Sequence, residues 1–545
     1  MRFPNSVKHR ATTASELRQA FLRYNSAMQR RQFLSLLATL SASGQTTARR
    51  PNIVVLLADD LGFSDVGCYG SEIETPHIDA LAAAGTRFSA FYNCARCCPT
   101  RAALMTGLYP HQAGVGHMVD DYGRPGYRGN LSKDCPTIAE TLRAAGYRTA
   151  MSGKWHLTPS DGNRANWPTR RGFERFFGTI ASIRSYYQPP TLAEQEKDIP
   201  ETAKEFYYTD AIADKAIESI RAFGNEPFFL YTAFTSPHWP LHALEADIAK
   251  FEKRYASGWD AIRAARVAKQ KQLGLTMETA PRAEEVVPWK DAPDKPWQVR
   301  RMAVYAAMVH RMDRNIGRIV AALRDSGVLD NTLILFASDN GGCAEEMSAD
   351  ISPAEKKVRK MPEQTRDGRA IRYGNLPAVA PGPEDTYQSY SANWAHVSNT
   401  PFRRFKHWVH EGGIASPLIL RWPGRVATGQ WNARTGHMID LFPTFCSAAG
   451  VRPTKPVEGF DLLQPPPRDR KLYWEHEGNQ AIRDGEWKLV REHSRPWELY
   501  NIARDRTELH DQAASEPKRV AAMANDWQRW ADRAGVLPWK SWEKK

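Results

Sequence analysis

Four apolar runs along the chain share one habit. NIVVLLADD (52–60), YRTAMSGKWH (147–156), FFLYTAFTSPH (228–238) and TLILFASDN (332–340) each read as a buried strand, and each ends in polar, chemically able residues. Runs of this kind, without polar alternation, belong to strands covered on both faces, as in a parallel sheet sandwiched by helices. Parallel strands present their carboxyl ends at one edge, where open α/β sheets bind ligands. The four polar tips, far apart in sequence, are therefore expected to converge.

Helical patterns fit between the strands. Pro76 to Ala84 reads as a short helix capped by Gly85. Residues 300–323 place Met302, Met308, Met312, Ile316, Ile319, Val320 and Leu323 near one face at helical spacing, which is core packing. Residues 243–295 are polar and helical in places; residues 344–400 are long, polar and irregular. A loop of that size inside a domain is usually functional, so 344–400 is taken as a substrate-facing insertion. After about residue 440 the texture changes. AIRDGEWKLV (481–490) places Asp484-Gly485 between alternating segments, a hairpin signal. WELYNI (497–502) offers another strand and residues 516–535 an amphipathic helix. The expected fold is α/β: a large, mostly parallel sheet with helices on both faces, followed by a smaller antiparallel sheet plus helix. The division is 1–48 leader, 49–440 catalytic domain and 441–545 C-terminal α+β subdomain. No internal repeat is visible.

Composition changes the picture little. A chain of 545 residues with 42% hydrophobic and 25% charged positions is globular. Of the formal charge of +13, residues 1–50 carry +8, from nine Lys/Arg against Glu16. The remaining body is only mildly basic, which argues against nucleic-acid binding and favours anionic substrates. The leader reads as an address: Arg30-Arg31-Gln32-Phe33-Leu34, then the apolar LSLLATL and the small-residue SASG, resemble a bacterial twin-arginine export signal. That predicts a periplasmic or extracellular protein, with Met28 as an alternative start. The apolar run is too short to span a bilayer, so no stable membrane insertion is expected.

Seven cysteines, at 68, 94, 97, 98, 135, 343 and 446, form neither an even disulfide framework nor a CxxC zinc pattern. Two of them open CCPTRAALMTG (97–107). Pro99 fits the first turn of a helix, so Cys97 and Cys98 would sit at a helix N-terminus, where free N–H groups favour an anion. Arg101 follows one turn on. On spacing alone a reactive group and a pair of structural thiols remain equally open. At the strand tips, Asp59, Asp60, Asp339 and Asn340 form a hard oxygen set, which selects calcium or magnesium over zinc.

CCPTRAALMTG resembles the sulfatase signature, Cys-x-Pro-x-Arg followed by Thr106-Gly107. ADDLG (58–62), GKWHL (153–157), SPHWP (236–240), SDNGG (338–342) and KHWVHEGG (406–413) resemble further sulfatase blocks in the family's order, covering roughly residues 51–510. The texture is similar to the type I, formylglycine-dependent bacterial arylsulfatases of the alkaline phosphatase superfamily. The resemblance implies a sulfuric ester hydrolase in which Cys97 is oxidised after synthesis to formylglycine by a formylglycine-generating or anaerobic sulfatase-maturating enzyme. Cys98 occupies the variable position. One hydroxyl of the aldehyde hydrate attacks sulfur and expels the alcohol; the other collapses to the carbonyl and releases sulfate, splitting one hard step into two. The resemblance assigns one metal, usually calcium with magnesium possible, to Asp59, Asp60, Asp339 and Asn340. It places Lys154 on sulfate oxygens, His156 on the second hydroxyl, and Arg101 as the group that orients the hydrate. His238 and Lys406 fall on the leaving-group side, where one of them protonates the departing oxygen. HEGG (410–413) reads as structural support, His111 and His117 as more ordinary than pocket-lining, WEHEGN (474–479) as a piece of substrate wall, and Cys343 has no role. Two rivals stand beside this reading. One is a phosphatase, phosphodiesterase or phosphonate hydrolase of the same superfamily, against which Asn340, in place of the His usual after the aspartate, and the pair Lys154 and Lys406 argue. The other is a sulfated-glycan binder on an inactive scaffold.

Overall fold

The computed structural model describes residues 49–540 except 160, 161, 201, 276 and 284; the leader, with its twin-arginine motif, lies outside the described residues. The apolar runs become β1 (Asn52–Asp59), β3 (Arg148–Gly153), β5 (Phe228–Pro237) and β6 (Thr332–Ser338). Three further long strands are β2 (Thr86–Tyr92), β4 (Arg175–Thr179) and β7 (Ala415–Arg421). Across the main sheet their order is β2-β7-β6-β1-β5-β3-β4. From β6 to β4 every neighbour is parallel, whereas β7 runs antiparallel to both β6 and β2. Shorter strands extend both edges.

Strand β1 shows why its sequence does not alternate. Ile53, Val55 and Leu57 enter one core, and Val54, Leu56 and Ala58 the other. Both faces are dry, so every position from Ile53 to Ala58 is apolar. The helices are α1 (Pro76–Ala83), α2 (Cys97–Thr106), α3 (Tyr208–Phe223), α4 (Lys295–Asp325) and, at the end, α5 (Pro517–Ala534), with shorter ones between. Helices α3 and α4 cover one face; Met302, Met308, Met312, Ile316, Ile319 and Leu323 are all buried there. Helix α2 lies on the other face, with the C-terminal antiparallel sheet β8 (Lys471–His476), β9 (Asn479–Asp484), β10 (Trp487–Arg491) and β11 (Glu498–Asn501). Helix α5 packs on that sheet through Met523, Trp527 and Trp530, so Arg50–Lys545 closes as one unit.

Two local expectations are corrected. Gly85 does not cap α1; Ala84 does. A Cβ at Gly85 would lie 2.4 Å from the Leu420 carbonyl oxygen, so glycine is there for close approach rather than for a left-handed turn. Helix α2 does open on the two thiols as expected: it begins at Cys97, with Arg96 as its cap, and Pro99 is its third residue, inside the first turn. The hairpin turn is Gly485-Glu486, because Asp484 still pairs with Trp487. The 344–400 stretch contains its own short elements, including helices Pro353–Val358 and Ser391–Ser398.

Candidate active site

Parallel register sets the site. Asp59 pairs with Pro237, Gly153 with Ala233, and Ala58 with Ser338, so all four strands end at one edge. Just past those ends lie Asp60, Lys154, His156, His238, Asp339 and Asn340, every one of them buried. Asp60 and His156 have φ of 64° and 56°, in the left-handed region that ordinary residues avoid. Such strain is retained where surrounding structure over-determines it, typically at functional sites.

The charges interlock. Lys154 Nζ donates to Asp59 Oδ2 at 2.7 Å and Lys406 Nζ to Asp60 Oδ2 at 2.8 Å. Arg101 is fully buried; its Nε and Nη2 grip Asp339 Oδ2 at 2.9 and 2.7 Å, and its Nη1 donates to the Lys154 carbonyl at 2.7 Å. Nη2 also stands 3.8 Å from Asp59 Oδ1. Three carboxylates thus face three cations, leaving the pocket near neutral before any ion or substrate enters. Burial opposes the charge on Lys154, but Asp59, Cys97 and Asp339 together outweigh it and the ammonium is held above its usual range.

Cys97 opens onto this array, with its Sγ 3.4 Å from His156 Nδ1. The Cys98 thiol, as hydrogen-bond donor, holds Cys97 well below the ordinary thiol range in spite of burial, with Lys154 and His156 adding to it. Burial pushes His156 down to about 4, so its ring is neutral at neutral pH and able to take a proton. His238 Nδ1 donates to the Trp239 carbonyl, which leaves Nε2 facing Asp60 Oδ2 at 3.5 Å; burial and then Lys406 hold this histidine well below its usual range. The pocket therefore assembles all ten residues named from sequence: Cys97, Arg101, Lys154, His156, His238, Lys406, Asp59, Asp60, Asp339 and Asn340.

The oxygen set also passes a test for a cation. Asn340 spends both amide hydrogens, on Asp60 Oδ1 at 2.7 Å and on the Gly341 carbonyl at 2.9 Å. Its Oδ1 is left buried without a partner, as is Asp59 Oδ1. Buried acceptors without partners are costly, and burial already raises Asp59 well above the usual carboxylate range against the pull of Lys154. Both are oxygen donors of the kind that a hard dication takes.

The structure adds residues that the motifs did not point to. Glu345 pairs with Arg96 at 2.8 Å, accepts from Trp239 Nε1 at 2.8 Å and stands 4.0 Å from Lys406 Nζ. Arg96, Glu345 and Trp239 therefore rim the pocket. Their only sequence signal was adjacency to motif residues. HEGG is buried support: Glu411 binds Lys488, Arg506 and Tyr92, each at 3.0 Å. A Cβ on Gly412 or Gly413 would strike the Arg403 or Trp408 carbonyl. His111 is buried against Glu475 at 2.8 Å, away from the pocket's charges.

Comparison with known proteins decides the family. A sulfatase family model matches residues 51–451. The chain belongs to the sulfatase family. An uncharacterised sulfatase of Schizosaccharomyces pombe is 32% identical over 90% of this chain and 95% of its own length. An arylsulfatase of Klebsiella aerogenes is 31% identical over 78% and 93%. Among solved structures, Ps i-CgsB in complex with k-i-k-neocarrahexaose is 26% identical, with a TM-score of 0.65 over 90% of this chain and 95% of the other. This sulfatase is a sulfuric ester hydrolase on an alkaline-phosphatase-like scaffold.

Proposed function

We propose that this sulfatase works through a formylglycine at position 97 and one calcium ion held by Asp59, Asp60, Asp339 and Asn340, and that its natural substrate is a carbohydrate sulfate. The observation that carries the reading is the pair of buried, unpartnered oxygens, Asp59 Oδ1 and Asn340 Oδ1, beside a cysteine that opens helix α2. Bound calcium would polarise the sulfate and favour a deprotonated nucleophile. The chain's own groups do the rest. Arg101 fixes Asp339 and the Lys154 carbonyl, so the floor of the pocket cannot shift as charge moves. Lys154 and Lys406 flank the carboxylates and place positive charge on sulfate oxygens. His156, neutral and 3.4 Å from the position-97 side chain, takes the proton of the hydrate. His238 and Lys406 stand on the side where the alcohol leaves.

With three carboxylates, three cations and a dication, the pocket carries about +2, suited to a sulfate monoanion and its dianionic product. The saccharide preference is supported by the neighbour solved with k-i-k-neocarrahexaose. The reading also includes maturation by a separate formylglycine-forming enzyme and folded export through the twin-arginine route, which requires conversion before export.

Two measurements test this. Peptide mass spectrometry across residues 97–101 is expected to find aldehyde in place of thiol; a purely thiol peptide in active protein sinks the proposal. Turnover of an aryl sulfate is expected to exceed that of an aryl phosphate at equal concentration. The reverse order would favour the phosphate- or phosphonate-hydrolase reading, against which Asn340 stands. An exported fraction without active sulfatase would refute the location.

A further inference from the structure

Beside the sulfate pocket, three imidazoles from distant segments close on one carboxylate. His117 lies on the loop after α2, His407 follows Lys406, and His476 and Glu477 end β8 and enter its turn. His117 Nε2 stands 3.0 Å from Glu477 Oε1, His407 Nδ1 2.5 Å from Oε2, and His476 Nε2 3.5 Å from Oε1. Ligand atoms of His407, His476 and Glu477 all lie within 4.8 Å of one another. The His117 and His476 rings stack with centroids 5.7 Å apart.

Hydrogen bonding alone leaves this cluster unfinished. His476 is fully buried, and neither of its ring nitrogens has a hydrogen-bond partner; His117 Nδ1 has none either. A 3.5 Å approach to a carboxylate is too long to count as one. Buried polar groups left in this state call for an unseen water or ion. Two of the four residues are non-glycine in the left-handed region, His407 at φ 90° and Glu477 at φ 50°.

We propose that His117, His407, His476 and Glu477 form a second metal site, for a borderline transition-metal dication such as Zn2+. Three imidazole nitrogens and one carboxylate oxygen suit that class of ion, and are too soft a set for calcium. Four ligands at about 2.1 Å would lie about 3.4 Å apart in a tetrahedron. The present approaches to Glu477, 2.5–3.5 Å, bring three of the four ligand atoms within 4.8 Å of one another, and His117, at 3.0 Å from Glu477 Oε1, would have to move in as the fourth. The ion would tie the β8–β9 turn to the segment carrying Lys406 and to the loop after the nucleophile helix. His407 N also donates to the Ala95 carbonyl at 2.9 Å, two residues before Cys97, so the site braces the rim of the sulfate pocket.

The test uses the full chain, stripped by chelation, reloaded with excess calcium and titrated with zinc chloride alone, with bound metal counted by elemental analysis. One zinc per chain beyond calcium is expected. Cobalt chloride in place of zinc should give the intense visible bands of a four-coordinate ion and no thiolate charge-transfer band. His407→Ala, at a partly exposed side chain that folding tolerates, and Glu477→Gln should each weaken zinc binding by about tenfold or more. Cys98→Ser should bind zinc as the parent does. The proposal fails if no zinc binds beyond calcium, if binding survives both His407→Ala and Glu477→Gln, or if a thiolate band appears and Cys98→Ser abolishes it. None of these readouts requires sulfatase turnover, so they stand or fall independently of the chemistry at position 97.

Discussion

Replacing Lys154 by methionine separates the two jobs that this side chain does. Lys154 is wholly buried, and its Nζ is the nearer of the two cations on Asp59, at 2.7 Å against 3.8 Å for Arg101. Methionine keeps the length of the stem and most of its volume, so packing changes little. What disappears is the charge. Removing one partner of a buried ion pair costs about 3–5 kcal/mol, because the other charge stays buried and uncompensated. Burial already holds the Asp59 carboxyl well above its usual range, and Lys154 is the main opposing influence. In the variant the carboxyl therefore takes up a proton more readily, and a protonated carboxyl is a poor calcium ligand. Calcium in excess restores the missing positive charge, so the stability loss should be larger in chelator than in calcium. Turnover is different, since the ion cannot replace an ammonium aimed at sulfate oxygens; losing such a fixed charge costs about 10²–10³ in kcat. The assay is kcat and KM for an aryl sulfate at saturating calcium, with thermal midpoints taken in calcium and in chelator. A kcat within about threefold of the parent would refute the placement of Lys154 on the substrate. Equal destabilisation in calcium and in chelator would refute the shared use of Asp59.

Other outcomes follow from the same geometry. Gly153→Ala should cost several kcal/mol, about the top of the usual range for one substitution, and yield little folded protein by solubility and circular dichroism. Its φ is 111° and a Cβ would sit 1.9 Å from the Ala233 carbonyl oxygen. Calcium removal should lower both activity and thermal midpoint, and re-addition should restore both; unchanged activity in chelator would exclude the ion from Asp59 and Asn340. Acid should destabilise the fold before the carboxylates titrate. Burial lowers His242 to about 4 and His437 to about 3, so between these values and the usual 6.5 the unfolded chain binds more protons. Stability therefore rises with pH through that window, by up to roughly 3 kcal/mol for His242 and roughly 5 kcal/mol for His437. Denaturant midpoints measured from pH 7 down to about pH 4 check this, and a flat profile would contradict it.

The parts legible without coordinates were those in which local sequence and global environment agree. Fully apolar runs such as NIVVLLADD could only be strands dry on both faces, and the parallel direction followed from helical spacers between them. Motif order then named Cys97, Arg101 and the strand tips. Antiparallel β7 and its neighbour β2 were not visible, because TRFSAFY (86–92) and ASPLILR (415–421) carry no signal for direction. Glu345 and Arg96 escaped for a similar reason: a single charge in a polar stretch looks solvated until something buries it.

By itself, the order of residues determined the alternation between the two cores, the strand tips that bear ligands, and the helix that starts at the paired cysteines. These are properties of a few consecutive positions, fixed by burial and backbone period. Only the tertiary structure decided that Lys406, 346 residues from Asp60, closes the same ion pair network, and that His117, His407 and His476 meet on Glu477. Contacts at such separations depend on strand register and on how the C-terminal sheet seats, and local propensity carries no term for either.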